Sequence, residues 1–343
     1  MSERLTYAAS GVDIEAADDA VERIKAHVAS TRRPEVLSEV GGFGGMFRFN
    51  GGDHEDSVLV SSVDGVGTKS VVAAMVGNYD TIGIDLVGTA DDIAVSGAEP
   101  LFFLDYISVP HVDPEMIESI VAGIARGCRQ AGYALVGGEI SEHPDSMEPG
   151  SFDLVGCAVG AVDREKTLPS GIAEGDALIG FASPGLRCNG YSLARRALFD
   201  HAQRKHTEAA WAGADRTLGE ELLVPSVIYT PAMLQLRNTI AVKGFAHITG
   251  GGLAANLQRV MPEGLGAHVR RGSWPEPRIF EVVQNAGDIA DAEMQRVFNL
   301  GIGMVAVVAA HDAAAAIESI AASGIEALEI GRVETGPSAI EPV

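Results

Sequence analysis

The run Ser62-Val63-Asp64-Gly65-Val66-Gly67-Thr68-Lys69 gathers more potential chemistry than any other stretch of this chain. An acid, two glycines, a hydroxyl and a lysine follow a β-branched segment and precede an apolar one. Strand, glycine turn and helix in that order aim backbone N–H groups at an anion. Asp64 offers oxygen to a hydrated Mg²⁺ and Lys69 offers charge to phosphate oxygens, with Gly65, Gly67 and Thr68 forming the turn. The spacing is not that of a Walker A loop, G-x-x-x-x-G-K-[ST]. A solvated surface turn would give the same pattern, so the run needs support from elsewhere.

Three further constellations point the same way. Asp85, Thr89, Asp92 and Ser96 fall at i, i+4, i+7 and i+11 of a helix predicted over 82–96, forming one polar stripe on an otherwise apolar cylinder. Such a stripe is either a solvated face or a set of buried carboxylates that must be paired or metal-bound. In the second case Asp64 and Asp92, on separate elements, share one Mg²⁺. Gly137-Gly138-Glu139 closes a short predicted strand, where Glu139 is a candidate third metal ligand or simply a solvated turn residue. His247-Ile248-Thr249-Gly250-Gly251-Gly252 is a second strand-to-glycine transition; it would expose N–H groups and a hydroxyl to phosphate, or serve only as a tight connection. His247 reads as a proton shuttle or a structural histidine. Gly41, Gly42, Gly44 and Gly45 surround Phe43 in a loop that allows close backbone approach to a ligand or forms a mobile cover. No Ser-His-Asp order, H-E-x-x-H or nucleophile elbow is present, which argues against covalent nucleophilic catalysis.

The composition narrows the classes. A chain of 343 residues with 46% hydrophobic and 21% charged residues implies about two domains and a large core. The formal net charge of −22 comes from a shortage of bases, with lysine only at positions 25, 69, 166, 205 and 243. That field repels nucleic acid, and small anions must be captured by local donors and metal ions. Cys128, Cys157 and Cys188 lack C-x-x-C spacing, so neither a disulfide framework nor a zinc site is expected. No apolar run approaches the roughly 20 residues of a membrane span, and no secretory segment is visible near Glu3 and Arg4. A cytoplasmic protein is expected.

These residues must be positioned by alternating elements. Strands are predicted over 58–63, 100–109, 134–136 and 152–162, with helices over 16–30, 70–76, 82–96 and 114–131. A linker over 163–175 leads to strands over 177–181, 244–248, 266–269, 303–308 and 327–330. The accompanying helices are predicted over 190–202, 226–237, 253–260, 279–285 and 313–322. The fold class is α/β (α+β): an amino-terminal extension over 1–55, a mixed α/β domain over 56–165 and a second over 175–343.

Taken in order, the motifs resemble the phosphoribosylformylglycinamidine cyclo-ligase (aminoimidazole ribonucleotide synthetase) family. The likeness runs from Tyr7-Ala8-Ala9-Ser10-Gly11-Val12-Asp13-Ile14 through Gly41 to Gly45, Asp64 to Lys69, and Gly97-Ala98-Glu99-Pro100-Leu101-Phe102-Phe103-Leu104-Asp105-Tyr106. It continues through Gly137-Gly138-Glu139, Asn189-Gly190-Tyr191-Ser192-Leu193, His247 to Gly252, and Phe298 to Met304. The resemblance implies ATP-dependent closure of formylglycinamidine ribonucleotide to aminoimidazole ribonucleotide in purine biosynthesis. It implies Asp64 and Asp92 as Mg²⁺-nucleotide ligands with Glu139 as a further candidate, and Lys69 and Lys25 as phosphate-neutralising groups. It also implies a glycine lid at 41, 42, 44 and 45, phosphate contacts from Thr249, Gly250 and Gly251 beside His247, and nucleotide contacts from Gly138 and Asn189. A homodimer whose amino-terminal sheets combine into a β-barrel is implied on the same ground.

Three departures stand near this site. Gly185-Leu186-Arg187-Cys188-Asn189-Gly190 replaces the family's Gly-Leu-His-Ser-Asn-Gly, Asp91 stands for its usual asparagine, and Ile140-Ser141-Glu142-His143 replaces Thr-Ala-Glu-Met. Arg187 can bind phosphate but cannot act as a base near pH 7; Arg187→His is expected to restore a family-like site with little loss. The alternatives are a divergent phosphoryl-transfer paralogue, resembling selenophosphate synthetase, thiamin-monophosphate kinase or the hydrogenase-maturation ATPase, and a catalytically inactive nucleotide-binding protein.

Overall fold

The structure is a computed structural model and describes residues 14–38, 45–49 and 56–341. Gly41, Gly42 and Gly44 of the glycine loop lie outside the described residues. The amino-terminal half comprises α1 (Ile14–Ala29), β1 (Ser57–Gly65), α2 (Lys69–Val76), α3 (Ile82–Thr89), α4 (Asp91–Val95), β2 (Glu99–Val109), α5 (Pro114–Ala131), β3 (Ala134–Glu142) and β4 (Asp153–Asp163). The carboxy-terminal half runs β5 (Ala177–Ala182), α6 (Tyr191–Arg195), α7 (Leu218–Leu222), α8 (Thr230–Thr239), β6 (Gly244–His247), α9 (Gly252–Gln258) and β7 (Leu265–Arg270). It ends with α10 (Arg278–Gly287), α11 (Asp291–Val297), β8 (Ile302–Val308), α12 (Ala313–Ala321), β9 (Ala327–Thr335) and β10 (Ala339–Glu341).

The first sheet is open and mixed, in the order β1-β4-β2-β3, with only the β2/β3 pair parallel. Helix α5 makes that parallel crossover. It starts with Pro114 after Asp113, whose carboxylate accepts from the N–H groups of Glu115 and Met116, and ends on Gly132 at φ 91°. Helices α3 and α5 touch backbone to backbone: a Cβ on Gly83 would stand 2.3 Å from the Ile120 oxygen. The second sheet has the order β10-β7-β9-β5-β8-β6 and is antiparallel except for β10/β7. Its strand β8 alternates between two cores, with Met304, Ala306 and Val308 facing α8 and α12 while Val305 and Val307 face α9. A third core joins α3 and α5 of the first half to Leu186, Tyr191, Leu198 and Phe280 of the second. The two halves thus share apolar burial, which fixes what lies between them.

Adjacent strands of the first sheet place Asp64, Gly156, Asp105 and Gly138 in one row. Opposed residues share a face, so Asp64 and Asp105 both lie on the side covered by helices. The glycines make room: a Cβ on Gly156 would meet the Phe103 ring at 2.3 Å, and one on Gly138 would meet Asp105 Oδ1 at 2.5 Å. This explains why β3 continues through Gly137 and Gly138 to Glu142, where the sequence reading ends the strand at 136. Gly138 is shaped by its neighbour Asp105.

Other expectations are also revised. The helix expected over 82–96 is two helices, α3 and α4, broken at Ala90 with ψ near 1°. The stretch 190–202 is short α6 followed by a π-helical turn over Arg196–His201. Lys69 does not stay at the glycine turn. It is fully buried, with Nζ 2.7 Å from Asp85 Oδ2 and donating to the Val224 oxygen at 2.8 Å. A buried ammonium must be paired, and Asp85 from the polar stripe supplies the partner, so the phosphate contact expected of Lys69 does not match its placement.

Burial pushes the Asp105 carboxyl up to about 7, against a hydrogen bond from its own backbone N–H. The folded chain therefore keeps this proton over a range where the unfolded chain, with an ordinary value near ~4, has released it. The group's stabilisation is complete at acid pH and is lost as pH rises towards 7. Urea midpoints of Asp105→Asn and the parent, compared between pH 5 and pH 8, should shift in the variant's favour as pH rises, by at most about 1.4 kcal/mol per pH unit. Parallel pH profiles would refute this.

Candidate active site

The chemistry-bearing residues meet where the end of β1 and the start of α4 face the loops of the second sheet. A narrow crevice there is lined by Asp64, Gly65, Thr89, Arg187, Asn189, His247 and Thr249, among others. Asp64 arrives at the end of β1, and its Oδ1 accepts from the N–H of Gly65 at 2.7 Å. Gly67 at φ 56° turns the chain into α2. Thr68 reaches across to the second half, its hydroxyl 3.0 Å from that of Ser192.

Asp92 is the second residue of α4, and its side chain is 44% exposed. His247, at the end of β6, places Nδ1 2.8 Å from Asp92 Oδ1 and is itself 5% exposed. The other ring nitrogen, Nε2, lies 2.9 Å from Arg187 Nη2. Both nitrogens are thus committed, which fits the structural reading of His247 rather than a free proton shuttle. The two aspartates are pushed apart in acidity. Burial raises the Asp64 carboxyl, opposed by the Gly65 N–H and reinforced by the negative charge of Asp92. At Asp92 burial acts in the same direction, but the bond to His247 and the nearby charges of Arg259 and Arg187 outweigh it and hold the group below the usual range.

The loop after β6 owes its shape to packing. A Cβ on Gly252 would stand 1.8 Å from the Gln295 oxygen, and Gly251 adopts φ 104°. Asn256, absent from the sequence-based candidates, donates from Nδ2 to the oxygens of Thr249, Gly250 and Gly252. It also accepts at Oδ1 from Arg259 at 3.2 Å. Its spacing from Thr249 gave no motif; only the folded loop shows it as the brace. Arg259, exposed and acting on Asp92, was missed for the same reason.

Two candidates lie elsewhere. Glu139 sits on edge strand β3, three inter-strand steps or roughly 14 Å from Asp64 on β1. Its Oε1 accepts from Ile140 N–H. Among the described residues no cluster of three or more His, Cys, Asp or Glu side chains is placed to hold a metal. Lys25 is exposed and paired with Glu22. It borders a separate cavity of about 360 Å³ between α1 and β3, with Val28, Arg32, Val36 and Val136, that shares no lining residue with the crevice. Gly45 packs against β3 close by, where a Cβ would meet the Val136 oxygen at 2.7 Å.

Comparison with known proteins matches both halves. Residues 44–162 match the AIR synthase related protein amino-terminal domain, and residues 173–341 match its carboxy-terminal domain. The chain is 48% identical over 334 residues to the phosphoribosylformylglycinamidine cyclo-ligase of Anaeromyxobacter sp. (strain Fw109-5), covering 97% of this chain and 96% of that one. It is 47% identical over 333 residues to the enzyme of the same name from Myxococcus xanthus, covering 96% of each. The fold is shared with a thiamine-monophosphate kinase from Stenotrophomonas maltophilia, at 19% identity and TM-score 0.67 over 94% of this chain and 96% of that one. It is shared also with the hydrogenase maturation protein HypE solved in complex with ATP, at 18% identity and TM-score 0.67 over 94% and 91%. At near-full coverage of chains that carry one name, this chain belongs to the phosphoribosylformylglycinamidine cyclo-ligase family.

Proposed function

We propose that the crevice between the two halves closes the imidazole ring of aminoimidazole ribonucleotide from formylglycinamidine ribonucleotide, with ATP converted to ADP and phosphate. The observation that carries this is that Asp92, from a separate element, acts by its charge on Asp64 and is bonded to His247, which lines the crevice together with Asp64. Neighbouring like charges are costly unless a cation joins them. Two carboxylates completed by phosphate oxygens are a donor set that Mg²⁺ commonly takes, so Asp64 and Asp92 fit the ion and would hold it. When bound, Mg²⁺ would neutralise charge on the triphosphate.

The chemistry asks little else of the chain. A formamide oxygen is a poor leaving group, so it is phosphorylated; the amidine nitrogen of the same molecule then attacks the carbon, and inorganic phosphate departs with the oxygen. The nucleophile is tethered, and effective molarity in ideal cases lowers such a barrier by about 7–11 kcal/mol. The protein aligns the γ-phosphoryl group and balances its charge. We assign that balance to exposed Arg259 rather than to buried Lys69. The N–H groups and hydroxyl of Thr249 to Gly251, braced by Asn256, suit a phosphate contact, and Asn189 borders the same opening.

The test is direct: the purified protein is given formylglycinamidine ribonucleotide and Mg-ATP, and aminoimidazole product is followed with ADP. Equal amounts of each are expected. Asp92→Asn should lower turnover by about 100-fold or more while circular dichroism stays unchanged. ADP formed on another acceptor would favour the paralogue reading, and undiminished turnover in the variant would remove Asp92 from the site.

A homodimer belongs to the same proposal. The face of the first sheet opposite α3 and α5 exposes Leu59 at 57% and Val63 at 66%, beside partly exposed Val155, Cys157 and Val159. A continuous apolar sheet face on a small domain marks an interface, and a second copy offers a self-complementary cover that would complete a barrel. Sedimentation should give a dimer for the parent and a folded monomer for Leu59→Glu. A parent that sediments as a monomer contradicts the proposal.

A further inference from the structure

Arg187 is the least expected residue of the crevice. It is 4% exposed and adopts φ 61°, a left-handed backbone that a long side chain rarely occupies. Strain of this kind persists only where surrounding contacts enforce it. They do: Nη1 donates to the Val227 oxygen at 2.8 Å, Nη2 donates to the Gly88 oxygen at 3.2 Å, and the guanidinium lies 4.8 Å from the centre of the Tyr229 ring. Its counter-charge is Asp91, whose Oδ2 is 3.5 Å from Nη2 and which is 1% exposed. Asp91 in turn accepts from the N–H groups of Tyr229 and Thr230 and from the Thr230 hydroxyl, and so pins the first turn of α8.

A guanidinium has donors only. Where Arg187 Nη2 meets His247 Nε2, that nitrogen must accept, so the imidazole carries its proton on Nδ1 and donates it to Asp92 Oδ1. We propose that Arg187 and Asp91 form a coupled positioning pair that, through the tautomer of His247, sets the orientation of the Asp92 carboxylate. The inference rests on the reading of this crevice as the cyclo-ligase site. It explains two departures at once, because the arginine standing for the family histidine and the aspartate standing for the family asparagine are the two ends of one buried ion pair. It also revises the expectation that Arg187→His alone is tolerated: that exchange leaves Asp91 without its cation, and Asp91→Asn leaves Arg187 without its anion.

The pair is tested by a double-mutant cycle with a spectroscopic readout. Each of Asp91→Asn and Arg187→His should lower kcat by about 10–100-fold, the range for groups that orient a metal-site ligand, with KM for the ribonucleotide substrate little changed. The variant carrying both exchanges should return to within about threefold of the parent. Independently of activity, ¹⁵N-histidine NMR of the parent should show His247 protonated at Nδ1 and bare at Nε2. Arg187→Lys, which keeps the charge but not the fork, should stay folded and lose that pattern. Losses that multiply in the double variant, or a parent His247 protonated at Nε2, would overturn the pair. A parent that makes no aminoimidazole product while showing the Nδ1 pattern would count instead against the function assigned to the crevice.

Discussion

Asp91 and Asp92 are sequence neighbours with opposite destinations, and the site depends on that divergence. At the start of a helix successive side chains point about 100° apart, so one carboxylate can enter the protein while the next looks out. Asp91 is buried against α8 and Arg187, and Asp92 stays partly exposed, held by His247 of the crevice. The break at Ala90 makes this possible, because an unbroken helix over 82–96 would align Asp92 with Asp85, which serves Lys69 in the core. The same dipeptide ties the two halves together and presents a carboxylate between them.

Much of this arrangement was legible in the sequence. The glycine turn after β1, the amphipathic run of α5 and the alternation of β8 follow from periodicity and breakers, and in the structure Asp92 is near enough to Asp64 to act on it by its charge. What was not legible was non-local. Lys69 looked like a phosphate ligand because its partner lies 16 positions on, in a stripe that also suits solvent. Glu139 looked like a third ligand because strand order, which puts three steps between it and Asp64, is not written in spacing. The break at Ala90 has neither proline nor glycine to announce it, and Asn256 and Arg259 acquire meaning only once the loop after β6 is folded.

Charge explains why so acidic a chain can handle a triphosphate. At net −22 the molecule has no general attraction for anions. Several of its acids are either neutralised internally, as Asp85 by Lys69 and Asp91 by Arg187, or raised toward neutrality, as Asp105 and Asp64 are. That leaves Asp92 as the carboxylate most strongly held in its ionised form at the opening, with Arg259 near it. Under the proposed function, an opening so arranged would recruit a cation first and the phosphate through it.

The most direct measurement is Mn²⁺ electron paramagnetic resonance, with manganese standing in for magnesium, on the parent, Asp64→Asn, Asp92→Asn and the double variant, each with a non-hydrolysable ATP analogue. If both carboxylates hold one ion, either single exchange abolishes most of the protein-dependent broadening and the double exchange removes little more. Broadening that survives in either single variant, or losses that add independently, would mean that the two aspartates do not share a metal.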